Sequence, residues 1–156
     1  MKKILLLSGL LLILIMAKAQ DPMFLKDDKL LNLGVGIQFY PVLSASFDYC
    51  IADGIAEKGS IGVGPYVGLG FWSRYMYLSA GARGTFHYPI IKDLDTYAGL
   101  GVGFRYTGSS YWGFSSFHPV PGFFLGANYP VTEKIIAFGE LGSGVSYLTV
   151  GITFFL

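Results

Sequence analysis

Ser146-Tyr147-Leu148-Thr149-Val150-Gly151-Ile152-Thr153-Phe154-Phe155-Leu156 is the stretch whose reading decides the fold. In an extended chain, successive side chains point to opposite faces. Leu148, Val150, Ile152, Phe154 and Leu156 then share one face, and Tyr147, Thr149, Gly151, Thr153 and Phe155 share the other. Strict alternation over about ten residues, apolar on one side and small or polar on the other, is what a bilayer-spanning strand requires. Such a strand needs partners on both edges. An open N–H or C=O in lipid costs several kcal/mol, and only a closed sheet leaves none. One strand therefore predicts a barrel.

Upstream, the same alternation recurs, and the spacing predicts seven further strands at about 31–40, 43–52, 60–71, 75–88, 96–106, 120–129 and 135–142. In the first, Leu33, Val35, Ile37 and Phe39 oppose Gly34, Gly36, Gln38 and Tyr40, and Pro41 marks the turn. In the fourth, Leu78, Ala80, Ala82 and Phe86 oppose Tyr77, Ser79, Gly81, Arg83, Thr85 and His87. In the fifth, Ala98, Leu100, Val102 and Phe104 oppose Tyr97, Gly99, Gly101, Gly103 and Arg105. Lys92 to Asp95 reads as a turn, Thr107 to His118 as a long polar-aromatic loop, and Gly142-Ser143-Gly144 as a tight turn. Tyr88-Pro89 before Tyr97-Ala98-Gly99 matches Tyr129-Pro130 before Phe138-Gly139-Glu140, a period of about 41 residues. Two strands fill that period, so the unit is a hairpin and the sheet an up-and-down meander.

Met1-Lys2-Lys3 is a basic start, Ile4 to Met16 an apolar run, and Ala17-Lys18-Ala19 a small-residue cleavage site. The run is shorter than the roughly 20 residues of a spanning helix. Residues 1–19 therefore read as a cleaved signal peptide, 20–30 as a short periplasmic lead-in, and 31–156 as the barrel. No Cys stands at the cleavage point, which argues against a lipid anchor.

The chain is 53% hydrophobic and only 13% charged. That balance suits apolar residues that face lipid in short alternating segments, and not a soluble surface. Removing Lys2, Lys3 and Lys18 from the 11 basic residues leaves fewer than the 10 acidic ones, so nothing suggests a nucleic-acid partner. The single Cys50 excludes an internal disulfide, and no metal-ligand or cofactor motif is present.

The predicted inner face carries a comb of glycines and five ionisable groups: Asp48, Arg83, His87, Arg105 and Glu140. Glycine weakens a strand, so the comb needs a reason. Packing of Tyr66, Tyr97 or Phe124 across it is the favoured one, and a ligand channel the alternative, since eight strands leave an interior filled by side chains. The register that places all five charges inward avoids the ~2–4 kcal/mol cost of a lipid-facing charge. Asp48 and Glu140 are expected to accept from Arg83 and Arg105 as a structural plug; a gate or proton path is the sharper alternative.

Charged turns at Asp53–Lys58, Lys92–Asp95 and Glu133-Lys134 read as periplasmic, with both termini. The opposite connections carry Trp72, Tyr111, Trp112, Phe114 and Phe117, either an interfacial aromatic girdle or a surface for a glycan or protein. Catalysis has weak support. His118 sits beside Ser115 and Ser116 without an evident acid, and His87 lies near the presumed periplasmic end.

The ending, with Thr149, Gly151, Phe154 and an apolar Leu156, resembles the C-terminal assembly signal of bacterial outer-membrane barrels, in which the last residue is usually Phe. Gly62-Val63-Gly64-Pro65-Tyr66-Val67-Gly68, Gly81-Ala82-Arg83-Gly84-Thr85-Phe86-His87-Tyr88 and Tyr97-Ala98-Gly99-Leu100-Gly101 are similar to small Bacteroidetes-type outer-membrane barrels of the OmpA/OmpX-like class. The resemblance implies an all-β, eight-stranded antiparallel transmembrane barrel in the outer membrane of a Gram-negative envelope. It also implies contact with outer-membrane lipid, handling by the barrel-assembly machinery, a monomer, and an extracellular ligand or protein as an open possibility. The expected role is structural or surface-interaction; a small solute pore and a lipid-modifying enzyme are the alternatives.

Overall fold

The computed structural model describes residues 23–73, 75–109, 114–132 and 134–156, and only the backbone of Trp72, Ser109 and Phe114. The expected signal peptide, Tyr111 and Trp112 lie outside the described residues. Eight strands follow in chain order: β1 (Lys29–Ile37), β2 (Pro41–Ile55), β3 (Gly59–Trp72), β4 (Tyr75–Ile91), β5 (Leu94–Ser109), β6 (Phe114–Pro130), β7 (Ile135–Ser143) and β8 (Leu148–Phe155). Each pairs antiparallel with its sequence neighbour, and β8 returns to β1 to close the barrel.

The alternation read from the sequence is the alternation of the wall. Leu100 and Val102 are 68% and 69% exposed, whereas Asp48 and Arg83 are 1% and 8% exposed. The distribution is inverted relative to a soluble domain, whose large apolar side chains are buried and whose charges are outside. The repeat is real in register too: Tyr88 pairs with Thr96, and Tyr129 with Ala137, each beside the hairpin that joins its two strands.

The glycine comb seats aromatic rings. A Cβ on Gly126 would collide with the Tyr97 ring, one on Gly99 with the Phe124 ring, and one on Gly103 with Tyr66 Oη. At the closing seam Gly34 pairs with Gly151, and a Cβ on either would come within 3.0 Å of the Phe138 ring. Packing against these bare backbones fills the lumen. Two enclosed voids beside Arg83 and Glu140 are each about 10 Å³, room for about one water.

Several boundaries differ from expectation. Thr107 to His118 is not a long loop: β5 runs to Ser109 and β6 begins at Phe114. Residues 107–109 and 114–118 lack an apolar alternation although they are strand. Pro41 opens β2 and does not itself form the turn, which occupies residues 38–40. Asp95, expected in a turn, lies in β5 and is 2% exposed. The lead-in is docked: Phe24 is 1% exposed, and Asp27 N–H donates to the Cys50 carbonyl while Cys50 N–H donates to that of Asp28.

The barrel wall is also uneven. β4, β5 and β6 have 17, 16 and 17 residues, against 9 and 8 in β7 and β8, so they rise as a ledge at the end opposite the termini. Pairing of β6 with β7 stops at Phe123↔Ser143, which leaves the edge of residues 114–122 without a partner among the described residues. Phe123 N–H donates to Ser143 Oγ, so the odd-numbered residues of β6 aim their N–H groups at that edge. Pro119 and Pro121 have this parity and no N–H. Proline at an open edge blocks pairing with another strand.

Candidate functional site

Inside the wall, inward side chains from every strand except β3 converge on Arg83. Its Nε and Nη2 donate to the two carboxylate oxygens of Asp48 at 3.0 and 3.1 Å, and Nη1 donates to Glu140 Oε2 at 3.0 Å. Asn32 Nδ2 donates to Asp48 at 2.8 Å, and Thr153 Oγ1 donates to Asn32 at 2.6 Å. Tyr97 Oη donates to Glu140 at 3.2 Å, and the guanidinium lies 4.6 Å from the Phe124 ring centre. A bidentate Arg–carboxylate fork with its remaining valences satisfied is the arrangement in which a buried ion pair offsets its desolvation. The network ties β1 to β8 and braces the closure.

Asp48, Arg83 and Glu140 are therefore brought together as the sequence predicts. Arg105 is not. Its Nη2 donates to the Gly144 carbonyl at 2.9 Å, and its guanidinium lies 5.2 Å from the Tyr77 ring centre. Tyr77 Oη donates to the Val145 carbonyl at 2.7 Å. The connection of residues 144–147 thus folds into the lumen as a cap below the ledge, with Val145 packed where a Cβ on Gly68 would be.

His87 has a partner that sequence reasoning missed. Its Nδ1 is 2.7 Å from Asp95 Oδ2, and its Nε2 is 3.1 Å from Thr85 Oγ1. Asn128 Nδ2 donates to the same Asp95 oxygen at 3.0 Å. The parity shared by Asp95, Tyr97, Gly99 and Arg105 was the available signal. Hydroxyl, imidazole and carboxylate stand in the order of a hydrolytic triad. All three residues, however, are 2% exposed, and the Phe24 ring covers the imidazole at 4.7 Å. A substrate carbonyl has no room to approach, so the array works as a buried polar brace at the terminal end. Asn32 was missed for a simpler reason: it precedes the run of glycines that revealed the first strand.

At the other end, Ser116 Oγ lies 3.3 Å from His118 Nδ1, both exposed on the ledge. No carboxylate hydrogen-bonds either side chain among the described residues. Phe117 is 68% exposed and stacks on Phe104 at 5.1 Å on the outer surface, as a girdle residue would. Thr149 is 4% exposed and inward, whereas Leu156 is 70% exposed. Gly151 permits the close approach of β8 to the Leu33 carbonyl, and Phe154 packs in the β7–β8–β1 seam. Among the described residues no cluster of His, Cys, Asp or Glu could hold a metal ion.

No protein-family model matches the chain, and neither does any curated protein sequence. Solved structures do. The N-terminal β-barrel domain of Pseudomonas aeruginosa OprF superposes with a TM-score of 0.61 at 13% identity, covering 84% of this chain and 98% of that one. Ail, the attachment invasion locus protein of Yersinia pestis, superposes with a TM-score of 0.51 at 10% identity, covering 85% and 96%. Identities this low carry the fold and not the activity. The chain is a closed eight-stranded antiparallel barrel of the architecture found in these outer-membrane barrels.

Proposed function

We propose that the protein is an integral outer-membrane barrel with a plugged lumen and a structural or surface-interaction role, its termini in the periplasm and its ledge outside the cell. The observation that carries this reading is the inverted wall: an apolar exterior around a buried Asp48–Arg83–Glu140 cluster. Water would not tolerate that exterior, and lipid would not tolerate those charges outside. The side chains that close the lumen favour a plug over a solute pore, and the buried surroundings of His87 disfavour hydrolysis there. Outer-membrane fractions run on gels with and without boiling test the proposal. A heat-dependent mobility shift in that fraction supports it; a soluble periplasmic protein without a shift refutes it. Stepwise conductance of the folded protein in planar bilayers would replace the plug with a pore.

A further inference from the structure

Charge on this barrel is divided by height. Every described carboxylate belongs to the terminal end or to the Arg83 network, and none to the ledge. Arg105 stands apart from them. Arg83 pairs in register with Gly101, and Arg105 lies further up β5, roughly 13 Å away at ~3.3 Å per residue.

Register sets what surrounds Arg105. Ser79, Arg105 and His118 form one cross-strand row over β4, β5 and β6, and Tyr77, Thr107 and Ser116 form the next. All six have the inward parity of Arg83, Tyr97 and Phe124, and neighbouring strands are ~4.8 Å apart. Each side chain can donate a hydrogen bond, and one is a fixed cation. The lower row is under-satisfied. Ser79 is 0% exposed, and its Oγ and Arg105 Nε have no hydrogen-bond partner among the described residues. Tyr66 Oη neighbours Ser79 Oγ but falls outside hydrogen-bond geometry. Buried donors left unmatched cost about 1–3 kcal/mol each, a cost that an acceptor arriving from outside would remove.

We propose that the inner face of the ledge, above the 144–147 cap, is a binding site for a phosphate or sulfate ester on a soluble ligand. Arg105 supplies the charge, and Thr107, Ser116 and His118 supply hydrogen bonds on the accessible side. Ser79 lies beside Arg105 in the same cross-strand row, and the Gly144 carbonyl and the Tyr77 ring hold the guanidinium. A guanidinium fork matches a tetrahedral oxyanion bidentately, and the absence of carboxylates from the ledge leaves its field uncancelled among the described residues. The patch faces the barrel axis and not the lipid, so the ester arrives on a molecule from the aqueous side. The inference rests on the membrane reading only for which side that is.

The test uses the mature protein folded in zwitterionic detergent, where orientation does not enter. Calorimetric titration with inorganic phosphate and glucose 6-phosphate should give saturable binding, and glucose should give none. Arg105→Gln should weaken binding at least about tenfold, the loss of a charge-assisted contact. The double variant His118→Gln/Ser116→Ala changes only exposed side chains and keeps the test valid if Arg105→Gln does not fold; it should weaken binding about threefold or more. Lys92→Gln, in a turn at the terminal end, should leave binding unchanged. Absence of saturable phosphate binding, equal binding of glucose, or full affinity in the His118/Ser116 variant would overturn the site. None of these outcomes bears on whether the chain is a membrane barrel.

Discussion

Arg83→Met isolates the bond network that braces the barrel. The substitution keeps much of the side-chain volume and removes three charge-assisted hydrogen bonds, two to Asp48 and one to Glu140. What remains is Asp48 with side-chain exposure of 1% and Asn32 as its donor, and Glu140 with 13% exposure and Tyr97 Oη. Stranding a buried charge by deleting its partner costs about 3–5 kcal/mol. At a urea slope of about 2 kcal/mol/M, the unfolding midpoint should fall by about 2 M. The assay is urea unfolding of the protein in lipid vesicles, followed by loss of the heat-modifiable gel band. Arg83→Met/Asp48→Asn/Glu140→Gln removes all the charge yet keeps an acceptor for Asn32 and for Tyr97. It should recover most of the loss, because an ion pair replaced entirely by neutral groups no longer carries desolvation cost. A fall below about 1 kcal/mol for Arg83→Met, or a triple variant as unstable as the single one, would refute the reasoning.

Three other outcomes are expected. Gly126→Ala and Gly99→Ala should each destabilise by about 1–3 kcal/mol through collision with the Tyr97 and Phe124 rings, whereas Gly101→Ala, whose Cβ would meet nothing closer than 3.5 Å, should be near neutral in the same unfolding assay. Phe24→Ala should remove about 1.5–3 kcal/mol of apolar burial and expose the lead-in to limited proteolysis, without loss of the barrel band. Pro119→Thr/Pro121→Thr restores two edge N–H groups and should yield dimers resistant to unheated detergent gels; a strictly monomeric double variant would show that the prolines do not guard that edge.

Much of the barrel was readable because a closed wall with an apolar outside and a polar inside imposes period two on every strand. Parity alone placed Asp48, Arg83, Arg105 and Glu140 inward, and it paired the glycine comb with Tyr66, Tyr97 and Phe124. It failed at the ledge. There outward residues are not all apolar, so Thr107 to His118 looked like loop although β5 runs to Ser109 and β6 begins at Phe114. It also failed at Asp95, where the cluster Lys92-Asp93-Leu94-Asp95 carried the charge of a turn.

Strand number, inside and outside, and the need for closure follow from the sequence by itself, because alternation is local and an unpaired strand edge leaves its backbone groups without partners. Which inward groups meet is a different matter. Whether Arg83 takes both carboxylates while Arg105 takes a backbone carbonyl depends on strand stagger, and so does the meeting of Phe24 with His87 across the lumen. Only the closed tertiary structure decides these, since one residue of register shift rearranges every cross-barrel contact while leaving the pattern along each strand untouched.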